Sequence, residues 1–256
     1  MESFGLFKGE RAIVTGSASN IGRAIAVALA REGAEVLLAD VDPQRNGDTA
    51  AAIRAAGGVC ETVTVDLAAR GGWRDVLSAT GGRPVHMLVH SASPPRREAD
   101  HLAAVDEETF DAMLAVNVRS GFLLAREIGL GMKAAGIRGR MLMVTSLHAE
   151  TPRNLPHYSA SKAGQTMLVK ELARAFGPAG IRVNAIAPGA IPGGGFNASA
   201  FSFDGKIPLG RLGRAEDLAG PAVALLSDRF CNYVTGTTLV VDGGIALHNW
   251  ITPVAE

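Results

Sequence analysis

The chain has 256 residues, 47% of them hydrophobic, which is enough to bury a substantial core and too many for a disordered chain. Lys and Arg total 25 and Asp and Glu total 25, so a net charge of zero gives no general pull toward nucleic acid or anionic lipid and points to a small, locally recognised ligand. The two cysteines, Cys60 and Cys231, have no partners at metal-ligand or disulfide spacing, MESFGLFKGE at the N-terminus is not a targeting segment, and no run of about 18 uncharged apolar residues occurs. The expectation is a cytoplasmic protein without a membrane anchor or a metal site, holding two buried structural thiols.

Short runs rich in Val, Ile and Leu alternate with longer segments of helical period. The first unit, RAIVT (11–15), IGRAIAVALAREG (21–33) and AEVLLAD (34–40), reads as strand, helix and strand. Strand-like runs follow at VCETVTVD (59–66), PVHMLVHSA (84–92), GRMLMVTS (139–146), IRVNAIAP (181–188) and TTLVVDGG (237–244), with helical stretches between them. About seven strands separated by helices predict a single α/β domain built on a doubly wound parallel sheet with right-handed crossovers. PGAIPGGGFNASAFSFDGK (188–206) keeps no period and reads as a loop or lid.

The stretch TGSASNIGRA (15–24) lies where such a fold brings backbone N–H groups and a helix N-terminus against a pyrophosphate. Gly16 and Gly22 meet the need for positive φ and close approach. Asn20 stands where a third glycine is usual; asparagine tolerates the left-handed region, and its amide could donate to a phosphate oxygen. Asp40 ends the second strand 18 residues past Gly22, where a carboxylate accepts hydrogen bonds from an adenosine ribose and repels a 2′-phosphate. NAD is favoured over NADP, Arg45 being the nearby cation on the other side of the balance. Methyltransferases that use S-adenosylmethionine share this much.

In HYSASKAGQTMLVKELARAF (157–176) Tyr158 and Lys162 fall at i and i+4 on one helix face. Lowering a phenol pKa of about 10 by about 2 to 3 units takes roughly 3 to 4 kcal/mol. An ammonium at about 4 Å, at an effective dielectric of about 20, supplies about 4 kcal/mol. Alone, this spacing is a common accident of amphipathic helices. Together with TGSASNIG, Asp40, VDL (65–67), NVRSGF (117–122), VTSL (144–147), YSASK (158–162), NAIAPGAI (184–191), RLGRAEDLAG (211–220) and YVTGTTLVVDGG (233–244), it resembles the classical short-chain dehydrogenase/reductase (SDR) family over roughly residues 8 to 246. The order and spacing of these motifs dispose of the methyltransferase reading.

The resemblance implies a Rossmann-type fold and hydride transfer between a nicotinamide and a secondary alcohol or ketone. It assigns Tyr158 as general acid/base, Lys162 as the residue that lowers its pKa and holds the nicotinamide ribose, Ser146 as the hydrogen-bond partner of the substrate oxygen, and Asn117 as the anchor of a water in a proton relay. It places the cofactor against Gly16, Ser19, Asn20, Ile21 and Gly22, the ribose ligand Asp40, the adenine contacts Asp66 and Leu67, the strand-end residues Ser91, Ala92 and Ser93, the Pro188-Gly189 turn and Ile191. The sequence departs from the family pattern at Asn20, at HSAS (90–93), where His90 and Ser93 replace an asparagine and a glycine, and at Gly193, which replaces a threonine. The spacing from Ser146 to Tyr158 is one residue short of the commonest form, which leaves Thr145 as a second candidate. Because all four catalytic residue types remain, altered cofactor affinity is expected rather than loss of catalysis, and His90 reads as a hydrogen-bonded strand-end residue.

The expected substrate pocket comprises Ser93, His148, Arg153, His157 and the 190–206 loop with Phe196, Phe201 and Phe203. That mixture leaves a polyol, sugar or small hydroxy compound and an acyl substrate both open. The alternatives are an NADPH-dependent 3-oxoacyl carrier-protein reductase and a nonenzymatic NAD-binding protein. The resemblance further implies a homotetramer or homodimer built on the helices within 106–136 and after Tyr158, and Trp250 in the tail is a candidate contact with a neighbour or with the pocket.

Overall fold

A computed structural model of the chain describes residues 3–97, 99–193, 196 and 202–247. Seven strands, β1 (Arg11–Thr15), β2 (Glu35–Asp40), β3 (Val59–Thr64), β4 (Met87–His90), β5 (Arg140–Val144), β6 (Arg182–Pro188) and β7 (Thr238–Val241), form one sheet in the order β3-β2-β1-β4-β5-β6-β7. Every neighbouring pair is parallel. β1 has its sequence-read limits, whereas the run 84–92 shrinks to a four-residue β4 and 139–146 to a five-residue β5. The residues shed at the carboxyl ends leave the ladder to line the site.

Strand alternation explains why central strands that are apolar throughout feed two separate cores. Ala12 and Val14, Val36 and Leu38, and Met87 and Val89 point to one face. There they meet Ile25 and Leu29 of α1 (Asn20–Arg31), Ile53 of α2 (Pro43–Ala55) and Leu218 and Leu225 of the late helix Glu216–Leu226. Ile13, Leu37, Leu88, Met141 and Met143 point to the other face. They pack on Trp73 of α3 (Gly72–Ser78), Leu124 and Ile128 of the helix Gly121–Ala134, and Val169 and Leu172 of the helix Pro156–Phe176. Local chemistry starts these helices: Asp42 accepts from the Arg45 N–H (3.0 Å), with Pro43 in the first turn of α2. Asp106 accepts from the Thr109 N–H (2.8 Å) to open α4 (Glu107–Leu114).

The helical stretch within 106–136 is not continuous: between α4 and the next helix, α5 (Gly121–Ala134), residues Ala115–Ser120 form a π-helical turn. Such widened turns recur at functional sites, and this one holds Asn117. The remaining long helices are α6 (Pro156–Phe176) and α7 (Glu216–Leu226). The amino ends of β1, β5 and β6 carry buried arginines, each paired with carboxylates: Arg11 with Glu35 and Glu61, Arg140 with Glu10, Arg182 with Asp228. Charge is thereby settled at the end of the sheet opposite the site. Both cysteines are free, Cys60 buried and Cys231, against expectation, only half-buried. Among the described residues, no helix is long and apolar enough to cross a membrane.

Candidate active site

The carboxyl ends of β1, β2, β4, β5 and β6 open into a cavity of about 1200 Å³. This exceeds the roughly 300–1,000 Å³ of most small-ligand pockets, leaving room for a dinucleotide and a second molecule. It straddles the β1/β4 boundary, where the strand order reverses and ligands bind in open α/β sheets.

At one end the loop after β1 allows no side chain at two positions. Gly16 has φ +70°, and a Cβ there would lie 2.6 Å from the Ala92 nitrogen; at Gly22 a Cβ would lie 2.0 Å from the Gly16 carbonyl oxygen. A buried network that the sequence did not disclose pins this loop. Ser17 Oγ donates to Asn46 Oδ1 (2.8 Å), Asn46 Nδ2 to the Leu38 carbonyl (3.1 Å) and Thr49 Oγ1 to the Ser17 carbonyl (3.0 Å). Asn46 and Thr49 look in sequence like ordinary polar residues of α2, so only their burial shows the role. Asp40 is oriented by its own backbone neighbours, accepting from the N–H groups of Ala18 (2.9 Å) and Asp42 (3.0 Å). Ser19, Ile21, Asp66, Leu67, Ser91, Ala92, Ser93, Pro188, Gly189 and Ile191 all line the same cavity.

Asn20 adopts φ +49°, the left-handed conformation expected of it. Its amide, expected to face phosphate, instead donates to the Pro192 carbonyl (3.2 Å) across the groove. Gly193, at φ +114°, follows directly, and a Cβ there would lie 2.5 Å from Asn20 Nδ2. Two departures from the family pattern are therefore one contact: with asparagine in the glycine loop, a side chain at 193 must displace that amide from Pro192. Gly193→Ala is expected to destabilise the protein, and pairing it with Asn20→Gly should recover about 0.5–3 kcal/mol in a double-mutant cycle of denaturation midpoints. Strict additivity of the two changes would refute the coupling. Asn20→Gly alone should keep or tighten NADH binding.

At the other end, Tyr158, Lys162 and Ser146 share the cavity wall. Pro156 and the turn after Leu155 start α6, so Tyr158 lies in its first turn, buried beside Met113 and Leu155. Lys162, one turn on, is 2% exposed; its Nζ donates to the Val144 carbonyl and to Gln165 Oε1, both at 2.9 Å, and stands 5.7 Å from the Tyr158 ring centroid. Burial first, and the Arg96 charge second, bring its pKa down to about 7. Among the described residues no hydrogen bond joins this Nζ to the phenol. The cation at the phenol is one the sequence did not single out: Arg96 Nη1 donates to Tyr158 Oη at 3.1 Å.

Ser146 Oγ accepts from the His148 N–H (3.2 Å), which leaves its own hydrogen to donate. Thr145 Oγ1 already donates to the Ile186 carbonyl (3.0 Å) and is committed to the sheet. Asn117 does not reach the cavity wall; its Nδ2 donates to Ser161 Oγ (2.9 Å), while its buried Oδ1 has no partner among the described residues. His90 is fully buried, with Nδ1 2.9 Å from Thr15 Oγ1 and Nε2 3.2 Å from the Val116 carbonyl, and burial brings its pKa down to about 4. It is the hydrogen-bonded strand-end residue expected. His148, Arg153, Phe196 and Phe203 line the cavity, but His157 does not: it is buried behind the wall with neither ring nitrogen paired. Its place one residue before Tyr158 turns it about 100° around the helix from the pocket face. Phe201 and Trp250 lie outside the described residues.

The family model described as "Enoyl-(Acyl carrier protein) reductase" matches residues 16–246. The chain is a classical short-chain dehydrogenase/reductase. Among relatives of this SDR is a (3R)-3-hydroxyacyl-CoA dehydrogenase of Canis lupus familiaris, 32% identical over 91% of this chain and 95% of that one. Another is glucose 1-dehydrogenase 2 of Bacillus subtilis, 33% identical over 94% and 96%. The crystal structure of a gluconate 5-dehydrogenase from Burkholderia cenocepacia, in complex with NADP and tartrate, aligns with a TM-score of 0.87 at 29% identity, covering 96% of this chain and 98% of the other. The SDR described here accordingly belongs to a family of nicotinamide-dependent oxidoreductases. Its groove fits such a dinucleotide on geometry alone, with side-chain-free turns at Gly16 and Gly22 beside carboxylates at the ends of β2 and β3.

Proposed function

We propose that this SDR interconverts a secondary alcohol and its ketone on a polyol, sugar or other small hydroxy compound, with Tyr158 as the general acid/base. The observation that carries the reading is the meeting of the Tyr158 hydroxyl, the Ser146 hydroxyl and buried Lys162 on one wall of the cavity that also holds the glycine loop. A nicotinamide dinucleotide held by the Gly16–Gly22 loop and Asp40 would supply the hydride chemistry. The protein's part is position and proton traffic: Ser146 donates to the substrate oxygen, and Tyr158 Oη takes the hydroxyl proton. Lys162, held by Val144 and Gln165, supplies positive charge below the phenolate as it forms. Asn117 Oδ1 is the acceptor on which a relay toward solvent can anchor.

Asp40 and Asp42 flank the adenosine end of the groove with Arg45 as the nearby cation, a balance that supports NAD over NADP. Titration with NADH and with NADPH, followed by tryptophan fluorescence and thermal shift, tests this. NADH should bind at least about tenfold more tightly, a gap of about 1.4 kcal/mol, and Asp40→Ala should narrow it. Preference for NADPH would overturn the assignment and favour a biosynthetic ketone reductase. Exposed Leu130 on α5 and Met167 on α6 support assembly through these helices as a homotetramer or homodimer.

A further inference from the structure

Arg96 is the side chain in this cavity that the proposed chemistry leaves unexplained. It follows Pro94-Pro95 in the loop after β4, and its Cζ lies 5.0 Å from the Tyr158 ring centroid and 5.6 Å from that of Phe196. Of its five N–H donors, one reaches the Tyr158 hydroxyl, and Nε is buried with no partner among the described residues. Among the described residues no carboxylate pairs with it. The described acidic residues of the cavity wall, Asp40, Asp42 and Asp66, stand at the ends of β2 and β3, whereas Arg96 and Lys162 stand against the Tyr158 ring and Arg153 over that of Phe196. Arg96 and Arg153 together hold the His148 pKa below its ordinary value, after the effect of burial itself.

A half-buried guanidinium with spare donors is complete only with an anion, and its planar fork matches a carboxylate. We propose that Arg96 is a carboxylate clamp, and that the substrate is a hydroxy acid whose carboxylate lies one or two carbons from the reacting carbinol. This rests on Tyr158 being the acid/base. The reacting oxygen must come within about 2.6–3.2 Å of Tyr158 Oη, and Arg96 Nη1 already stands 3.1 Å from that atom. Only a carboxylate close to the carbinol reaches the guanidinium in that pose; one at the far end of a hexose chain does not. Binding transfers Arg96 from the phenol to the carboxylate, leaving the Tyr158 hydroxyl to the substrate oxygen.

The test uses the protein with NAD or NADH and two acid–neutral pairs: glycerate and glycerol, 3-hydroxybutyrate and butane-1,3-diol. Glycerate or 3-hydroxybutyrate should be oxidised about 10- to 100-fold more efficiently than its neutral counterpart, the range of a charge-assisted hydrogen-bonded pair. Arg96→Met should bring the acid-to-neutral ratio of kcat/KM to near one, with the acid-specific part of the loss falling on KM, and Arg96→Lys should restore part of that ratio. In parallel, glycerate or 3-hydroxybutyrate should raise the melting temperature of the NADH-loaded protein, and neither should do so for NADH-loaded Arg96→Met. Equal losses on acids and neutrals in Arg96→Met, or no acid-specific stabilisation of the NADH-loaded protein, would overturn the clamp. Turnover that survives Tyr158→Phe would instead overturn the reading on which it rests.

Discussion

Tyr158→Phe should lower turnover by about 10²- to 10⁴-fold, the usual contribution of a positioned acid/base, while NADH binds as before. The ring is 4% exposed and held by Met113, Leu155 and the edge of His148, whose centroid is 6.3 Å away. Phenylalanine keeps all of those contacts and loses only the oxygen. That oxygen's protein partner is Arg96, whose released donors face the open cavity, so little stability should be lost. Initial rates on whichever of the acid–neutral compounds is turned over with NAD, set beside an NADH titration of the same preparation, separate the two readouts. Undiminished turnover would remove Tyr158 from the chemistry. Loss of NADH binding together with turnover would show that the hydroxyl holds the cofactor groove together instead. Retained NADH binding with no turnover would also set aside a purely NAD-binding role for the chain.

Acidification should destabilise the wild type through His90 by up to about 3 kcal/mol, from a depression of about 2.5 pKa units at about 1.36 kcal/mol each. The ring is fully buried and makes its two contacts as a neutral imidazole, with burial moving its pKa from 6.5 to about 4. Because the folded-state value is the lower one, the unfolded chain binds the extra proton between those two pH values. The contribution is complete above pH 6.5, declines as pH falls and is lost through about pH 4. Lys162, depressed from 10.5 to about 7, acts in a separate window: stability rises with pH from about 7 to 10.5, as the unfolded chain alone remains protonated. Urea denaturation of wild type and His90→Asn at pH 7 and pH 5 isolates the histidine. The variant, carrying the asparagine usual in this family, should gain on the wild type by about 2 kcal/mol between the two pH values. Parallel pH dependences would mean that His90 is not the proton-linked group.

The sequence by itself determined the parts of this protein that repeat at short range. The short apolar runs in RAIVT and EVLLAD set strands whose two faces feed two cores, and the run before Asp40 ended where the strand ends. Gly16 and the left-handed Asn20 were legible because backbone conformation is a local property of residue type. The i, i+4 spacing of Tyr158 and Lys162 put both on one side of a helix that formed as read, Pro156–Phe176.

Tertiary structure alone decided who meets whom across the groove. Asn20 bonds a carbonyl 172 residues away and Arg96 a phenol 62 residues away, and no periodicity encodes either contact. The same holds for Lys162, whose ammonium donates to a strand carbonyl and to Gln165, and for His157, which one residue of helical rotation removes from the pocket. Local sequence biases each residue's dihedral angles and its facing toward core or solvent. The direction of a polar side chain at a cavity is set instead by the loops that packing brings opposite it, and those depend on the whole sheet being assembled.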